Sequence, residues 1–226
     1  MALAAAAVGF AVALFVAVGY PLWRRQLWML PDTALVAIDV IALLLSLVVA
    51  IAVGATLAAA PGRRTGALGL AATRTIYIAL GIASGLVMRA IVELLWPSAG
   101  SIGGSFGGDA LLAAVIAVIG VVLVGPVVEE LFFRGLMQRS LLQVVTGDAE
   151  NRSPLAAAAV IFITTAAFAA LHLAPAGATV SWGLVAGVAL TGVVCGILAV
   201  ASRSTWPAIA AHITFNAGGV IALVVR

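Results

Sequence analysis

The chain has 226 residues, of which 65% are hydrophobic and only 8% charged, where a soluble domain carries about 25% charged residues. That composition excludes a soluble domain of useful size and leaves one multi-pass membrane domain, residues 1–226. The formal net charge is +3 and every basic residue is Arg. No basic run exceeds two residues, which fits membrane orientation better than nucleic-acid binding, and no nucleic-acid partner is expected.

A transmembrane helix needs about 20 mostly apolar residues, and seven segments qualify: Ala2–Tyr20, Ala34–Ala60, Thr75–Trp96, Ala110–Val145, Leu155–Ala174, Trp182–Ala201 and Trp206–Val225. They are too long and too uniformly apolar for barrel strands, which alternate. The expected fold is an all-α polytopic membrane bundle of seven or eight transmembrane helices. The first segment lacks a basic leader and reads as a retained helix.

Ala110–Val145 decides between seven and eight. As one helix it would reach roughly 54 Å, against a hydrocarbon core of about 30 Å. It either projects beyond the bilayer or breaks, and Gly125-Pro126 is the natural place for a break or kink. The connections Pro61–Arg64, Pro97–Asp109 and Gly147–Pro154 read as loops and turns. Trp23, Trp28, Trp96 and Trp206 fall near helix ends, as an aromatic belt requires. Cys195 stands alone in an apolar segment and reads as packing.

Ionisable groups at membrane depth are costly, so each is a candidate for function. Glu129, Glu130 and Arg134 follow the Pro126 break, and Glu130 and Arg134 are four residues apart, on one helical face. Their pairing offsets the cost of burying both. Glu129 points elsewhere, without a local cation, as a general base would. The bland reading is an ion-pair network that holds helices together.

Phe168 and His172 also share a face, and the helix is ending, because Pro175 follows. A neutral imidazole opposite a carboxylate can help hold and deprotonate a water; a polar helix end in interfacial water is the bland reading. His212 and Asn216 lie four apart on the last segment. Two convergent donors can stabilise an oxyanion, or they can join helices by hydrogen bonds. Elsewhere Arg89 and Glu93 are spaced to neutralise one another, while Asp39 and Arg74 lie near helix ends, where they reach the interface.

Together these groups supply a carboxylate base, an imidazole and two donors, enough for water to attack an amide without a serine or cysteine nucleophile. No His-Glu-x-x-His zinc motif occurs. Glu129-Glu130-x-x-x-Arg134, Phe168-x-x-x-His172 and His212-x-x-x-Asn216 resemble, in order, the signatures of the CPBP (CAAX protease and bacteriocin-processing, Abi) family of intramembrane glutamic endopeptidases. The likeness covers roughly the C-terminal half and places the motif-bearing core at about 110–225.

The resemblance implies that Glu129 and His172 activate water, that His212 and Asn216 form the oxyanion site, and that Glu130 and Arg134 give structural support. Phe168 would wall off the site. The implied partners are a peptide or membrane-protein substrate and the lipid bilayer, and composition suggests a bacterial cytoplasmic membrane. No cofactor is expected, although a divalent metal is not excluded: Glu129, His172 and His212 could in principle supply three ligands. Against it, ligating histidines usually have an outer carboxylate or carbonyl partner, and Glu130 is better placed for Arg134. The alternatives to a glutamic protease are its metal-dependent version, a non-enzymatic scaffold or bacteriocin-immunity-type protein, and a transporter.

Overall fold

The computed structural model describes residues 1–58, 64–98, 110–147 and 153–225. Within them, seven helices are long and apolar enough to cross a membrane. They are α1 (Ala2–Arg24), α2 (Asp32–Ala58), α3 (Thr75–Leu95), α4 (Leu111–Thr146), α5 (Pro154–Leu173), α6 (Trp182–Ser202) and α7 (Trp206–Val225). No strand occurs among the described residues. The chain is an all-α, multi-pass membrane protein. The expected loops fall mostly outside the described residues.

Of the two readings of the long segment, a single helix that projects beyond the bilayer holds, without a break at Gly125-Pro126. The chain stays helical from Leu111 to Thr146, 36 residues, so the described residues hold seven spans rather than eight. The helix accommodates proline by widening: Gly120–Val124 and Leu131–Gln138 are π-helical, on either side of the α-helical turn Gly125–Glu130. In the wider turn the Gly125 N–H reaches back five residues, to Gly120 O. Such widened turns occur often at functional sites, and here one lies on each side of Glu129.

Side chains on the outside are apolar: Phe15, Leu45, Leu86, Leu111, Phe162 and Ile221 are all exposed, as a lipid-facing surface requires. Trp23, Trp28 and Trp182 are largely exposed beside helix ends. Asp39 does not simply reach the interface; it accepts from Tyr20 Oη and Arg24 Nε, at 2.5 and 3.0 Å, and so clamps α1 to α2.

Two apolar clusters form the interior. One gathers Ala6, Leu47, Phe132, Phe133, Leu136 and Phe168. The other gathers Met88, Val92, Cys195, Ala208, Ala211 and Phe215. Lipid offers no hydrophobic drive between helices, so close backbone approach through small residues must hold α3 on α7. Gly81 and Gly85 provide it: a Cβ on either would collide with the carbonyl oxygen of Pro207 or Ala211. The start of α7 is tied down as well, because Thr205 Oγ1 donates to Leu68 O at 2.7 Å and Thr205 N to Gly69 O at 2.9 Å. The motif residues lie where the clusters meet, with Phe168 in one and Ala211 and Phe215 flanking His212 in the other.

Candidate active site

The inner half of the site is a closed ionic network. Arg134 Nη1 donates to Glu130 Oε1 at 2.9 Å, and Nη2 donates to Thr191 O and Gly192 O of α6 at 3.2 and 3.1 Å. The same Glu130 oxygen accepts from His212 Nδ1 at 2.9 Å. The Glu130 and Arg134 side chains are 0% and 1% exposed. One carboxylate thus joins α4 to itself and to α7, and its guanidinium partner reaches α6. The expectation that Glu130 serves Arg134 alone is corrected, because its oxygen lies within reach of both.

Glu129, one residue earlier, sits differently. Its side chain is 15% exposed, and its Oε2 lies 3.7 Å from His172 Nε2 and 3.8 Å from His212 Nε2. Both gaps exceed hydrogen-bond length, and a water bonded to both atoms of a pair would lie to one side of the line joining them. Each histidine has its other nitrogen committed. His172 Nδ1 lies 2.8 Å from Phe168 O, a carbonyl that can only accept, so Nδ1 carries the proton. His212 Nδ1 is fixed in the same way by Glu130. In its neutral form each ring would then direct its Nε2 toward Glu129.

Glu129, His172, His212 and Asn216 line one cavity of about 940 Å³. Phe168 braces it, with its ring 4.3 Å from the His172 ring, 5.8 Å from that of His212 and 5.2 Å from that of Phe133. The Arg134 guanidinium lies over the same ring at 4.8 Å, a favourable cation–π position.

Asn216 does not stand free. Its Nδ2 donates to Val121 O at 2.8 Å. In the widened turn of α4 that carbonyl would look five residues on for its donor, and there it meets Pro126, which has no N–H. Asn216 fills that vacancy from the neighbouring helix. An amide carries two N–H bonds, so one remains while the other is used. The helix-joining reading of Asn216 is real, and it coexists with a place in the cavity wall.

Residues 111–218 match the protein family described as type II CAAX prenyl endopeptidase Rce1-like. The motif-bearing half of this chain is thus similar to the CAAX proteases. No curated protein and no solved structure matches the chain. With the seven membrane-spanning helices, that similarity indicates an intramembrane protease, a hydrolase. It suggests a peptide substrate met in a lipid bilayer.

The donor set has some of the chemistry of a metal site: two imidazole nitrogens, one carboxylate, and an outer partner on each histidine, which removes one argument made from sequence. The spacing fits less well. Ligand atoms around a tetrahedral zinc lie roughly 3.3–3.5 Å apart, and both nitrogens stand farther than that from Glu129 Oε2. Among the described residues no group of three such side chains is arranged to hold a metal.

Sequence reasoning missed Gln138. It is buried on the row Glu130, Arg134, Gln138, donates to Gly196 O at 3.0 Å and accepts from Thr164 Oγ1 at 3.4 Å. Its four-residue spacing from Arg134, on the face that Glu130 begins, was the available signal. It also left Arg89 as a neutralised pair; Arg89 does bond Glu93, and it lines the cavity too.

Proposed function

We propose that this protein is a glutamic intramembrane endopeptidase that hydrolyses a peptide bond near the C-terminus of a prenylated or otherwise membrane-bound substrate, in a bacterial cytoplasmic membrane. The observation that carries this reading is the pair of Nε2 atoms 3.7 and 3.8 Å from a cavity-facing carboxylate that pairs with no arginine among the described residues. A scaffold would bury Glu129 against an arginine. Here the arginine goes to Glu130.

In the proposed reaction a water sits between Glu129 Oε2 and His172 Nε2. Glu129 takes one proton, and the remaining hydroxide oxygen bonds to the scissile carbonyl carbon. The carbonyl π pair moves to oxygen. Asn216 offers it the N–H not given to Val121. His212 offers its Nε2 proton, for which the ring must carry both protons. When the C–N bond breaks, the proton on Glu129 passes to the leaving nitrogen, and the base is regenerated.

No metal takes part in this scheme, since a base already generates the nucleophile. The deciding experiment uses purified protein in lipid nanodiscs with an internally quenched prenylated peptide. Cleavage by wild type and none by a folded Glu129→Gln variant is the expected result. Full turnover by that variant would remove Glu129 as base.

A further inference from the structure

The cavity reaches one end of the bundle, where Trp96, Ser98, Ser181 and Trp182 line it. At the other end α3 and α7 begin and α6 stops, and there the chain before α3 is strapped onto the start of α7. Four consecutive carbonyls, those of Leu68, Gly69, Leu70 and Ala71, accept from Thr205 Oγ1, Thr205 N, Trp206 Nε1 and Ser204 Oγ, at 2.7, 2.9, 3.4 and 3.1 Å. Arg139 of α4 completes the fastening by donating to Gly66 O and Arg203 O, each at 3.4 Å.

Among the described residues this end carries cations and no carboxylate. Arg74 and Arg203 are exposed there, and neither guanidinium has an acceptor among those residues. The described carboxylates lie elsewhere: Asp32, Asp39 and Glu93 toward the opposite end, Glu129 and Glu130 in mid-helix. Arg203 is also strained. It ends α6 in the left-handed region, with φ 55° and ψ 23°, and among the described residues no other non-glycine residue has a positive φ. Glycine fits such a cap without strain, so the position keeps a cation that ending the helix does not require. Within the first turns of α3, Ile76 and Leu80 share an exposed face, and Trp206 is exposed at the start of α7. A Trp at a helix end sits at headgroup level, and the apolar side chains beside it face acyl chains.

We propose that Arg74 and Arg203 bind the phosphate of an anionic phospholipid at this end of the bundle, and that the bound lipid fastens the strap to the first turn of α7. A guanidinium takes phosphate oxygens through two parallel N–H bonds. Each basic residue near a headgroup layer adds a roughly fivefold gain in affinity for anionic lipid. The ligand is a lipid rather than free phosphate, because the cations stand beside apolar side chains that acyl chains would cover. Trp206 lies six residues before His212, about 9 Å of helix, so what steadies the strap also steadies the helix that carries His212. The proposal does not depend on the hydrolytic reading above.

The test uses the full chain in nanodiscs of phosphatidylcholine, with and without phosphatidylglycerol of the same acyl chains. The readouts are the unfolding midpoint and hydrogen exchange of residues 66–71. Phosphatidylglycerol should raise the midpoint by about 4–8 °C and slow exchange in the strap. Arg74→Gln and Arg203→Gln together should remove most of both effects, and native mass spectrometry should show the wild type holding phosphatidylglycerol about 30-fold more tightly than this double variant. Arg203→Gly guards against a folding defect. It relieves the left-handed backbone, so it should be at least as stable as wild type in phosphatidylcholine yet respond less to phosphatidylglycerol. If the double variant does not fold, Arg203→Gly and Arg74→Gln decide. No response in the wild type, or an undiminished response in the variants, overturns the proposal and leaves these arginines as orientation signals. A midpoint raised as far by inorganic phosphate or glycerol phosphate, in phosphatidylcholine alone, would overturn the lipid as the ligand.

Discussion

Glu130 and Glu129 are neighbours in the chain, yet the two sides of α4 that they occupy are held in opposite ways. On the Glu130 side the bonds are short, at 2.9 Å to both Arg134 and His212, and the side chains are sealed. On the Glu129 side the nearest ring nitrogens stand at 3.7 and 3.8 Å and the space between opens to a cavity. The closed side fixes where helices sit, and the open side keeps its polar capacity for something that arrives. The closure is not complete: Glu130 Oε2 and Arg134 Nε are buried without a protein partner. His212 belongs to both sides, with one nitrogen in the closed network and the other at the open gap.

The contrast can be broken first at Glu129. Glu129→Gln should lower turnover by about 100- to 10,000-fold, the usual worth of a general base, while thermal stability in detergent stays at the wild-type value. A loss of stability matching that of Glu130 variants would erase the distinction between the sides. Arg134→Ala should do the reverse, and Glu130→Gln likewise to a lesser degree. Stranding a buried charge costs roughly 3–5 kcal/mol, to be read as a lower unfolding midpoint and poor yield.

His212→Ala should show both effects. We expect a fall in kcat of about 100- to 1000-fold, as for a lost oxyanion donor, together with a lower unfolding midpoint because Glu130 loses a donor. A change in only one of the two measurements would assign His212 to one side. A smaller effect concerns Asn216 and Pro126. In Pro126→Ala a restored N–H can take Val121 O and release Asn216, so the two substitutions should not add. A double-mutant cycle on kcat should give a coupling of about 1 kcal/mol, and strict additivity would separate the two residues. The smallest expected effect is none: dialysis against a strong chelator should leave activity intact. Inactivation reversed by zinc or another divalent ion would favour the metal-dependent reading.

The membrane spans were legible because lipid permits little besides apolar helices, and the ends of α7 agree with its sequence to the residue. Glu129, His172 and His212 were legible because ionisable groups stand out in apolar runs. That His212 Nδ1 meets Glu130 was not, since they are 82 residues apart and each already had a nearer partner in view. The widened turns of α4 were hidden as well. Side-chain type reports that Pro126 lacks an N–H but not whether the helix breaks or shifts its bonding by one residue. The acceptor for Asn216 exists only after that shift.

The three polar atoms at the gap come from α4, α5 and α7, which leave the ribosome in that order. Until α7 has entered the bilayer, Glu129 and His172 face each other without His212 or Asn216, and Val121 O waits for its donor. On the proposed mechanism a chain still in synthesis therefore lacks its oxyanion donors, and the arrival of α7 supplies them and closes the inner network in one event.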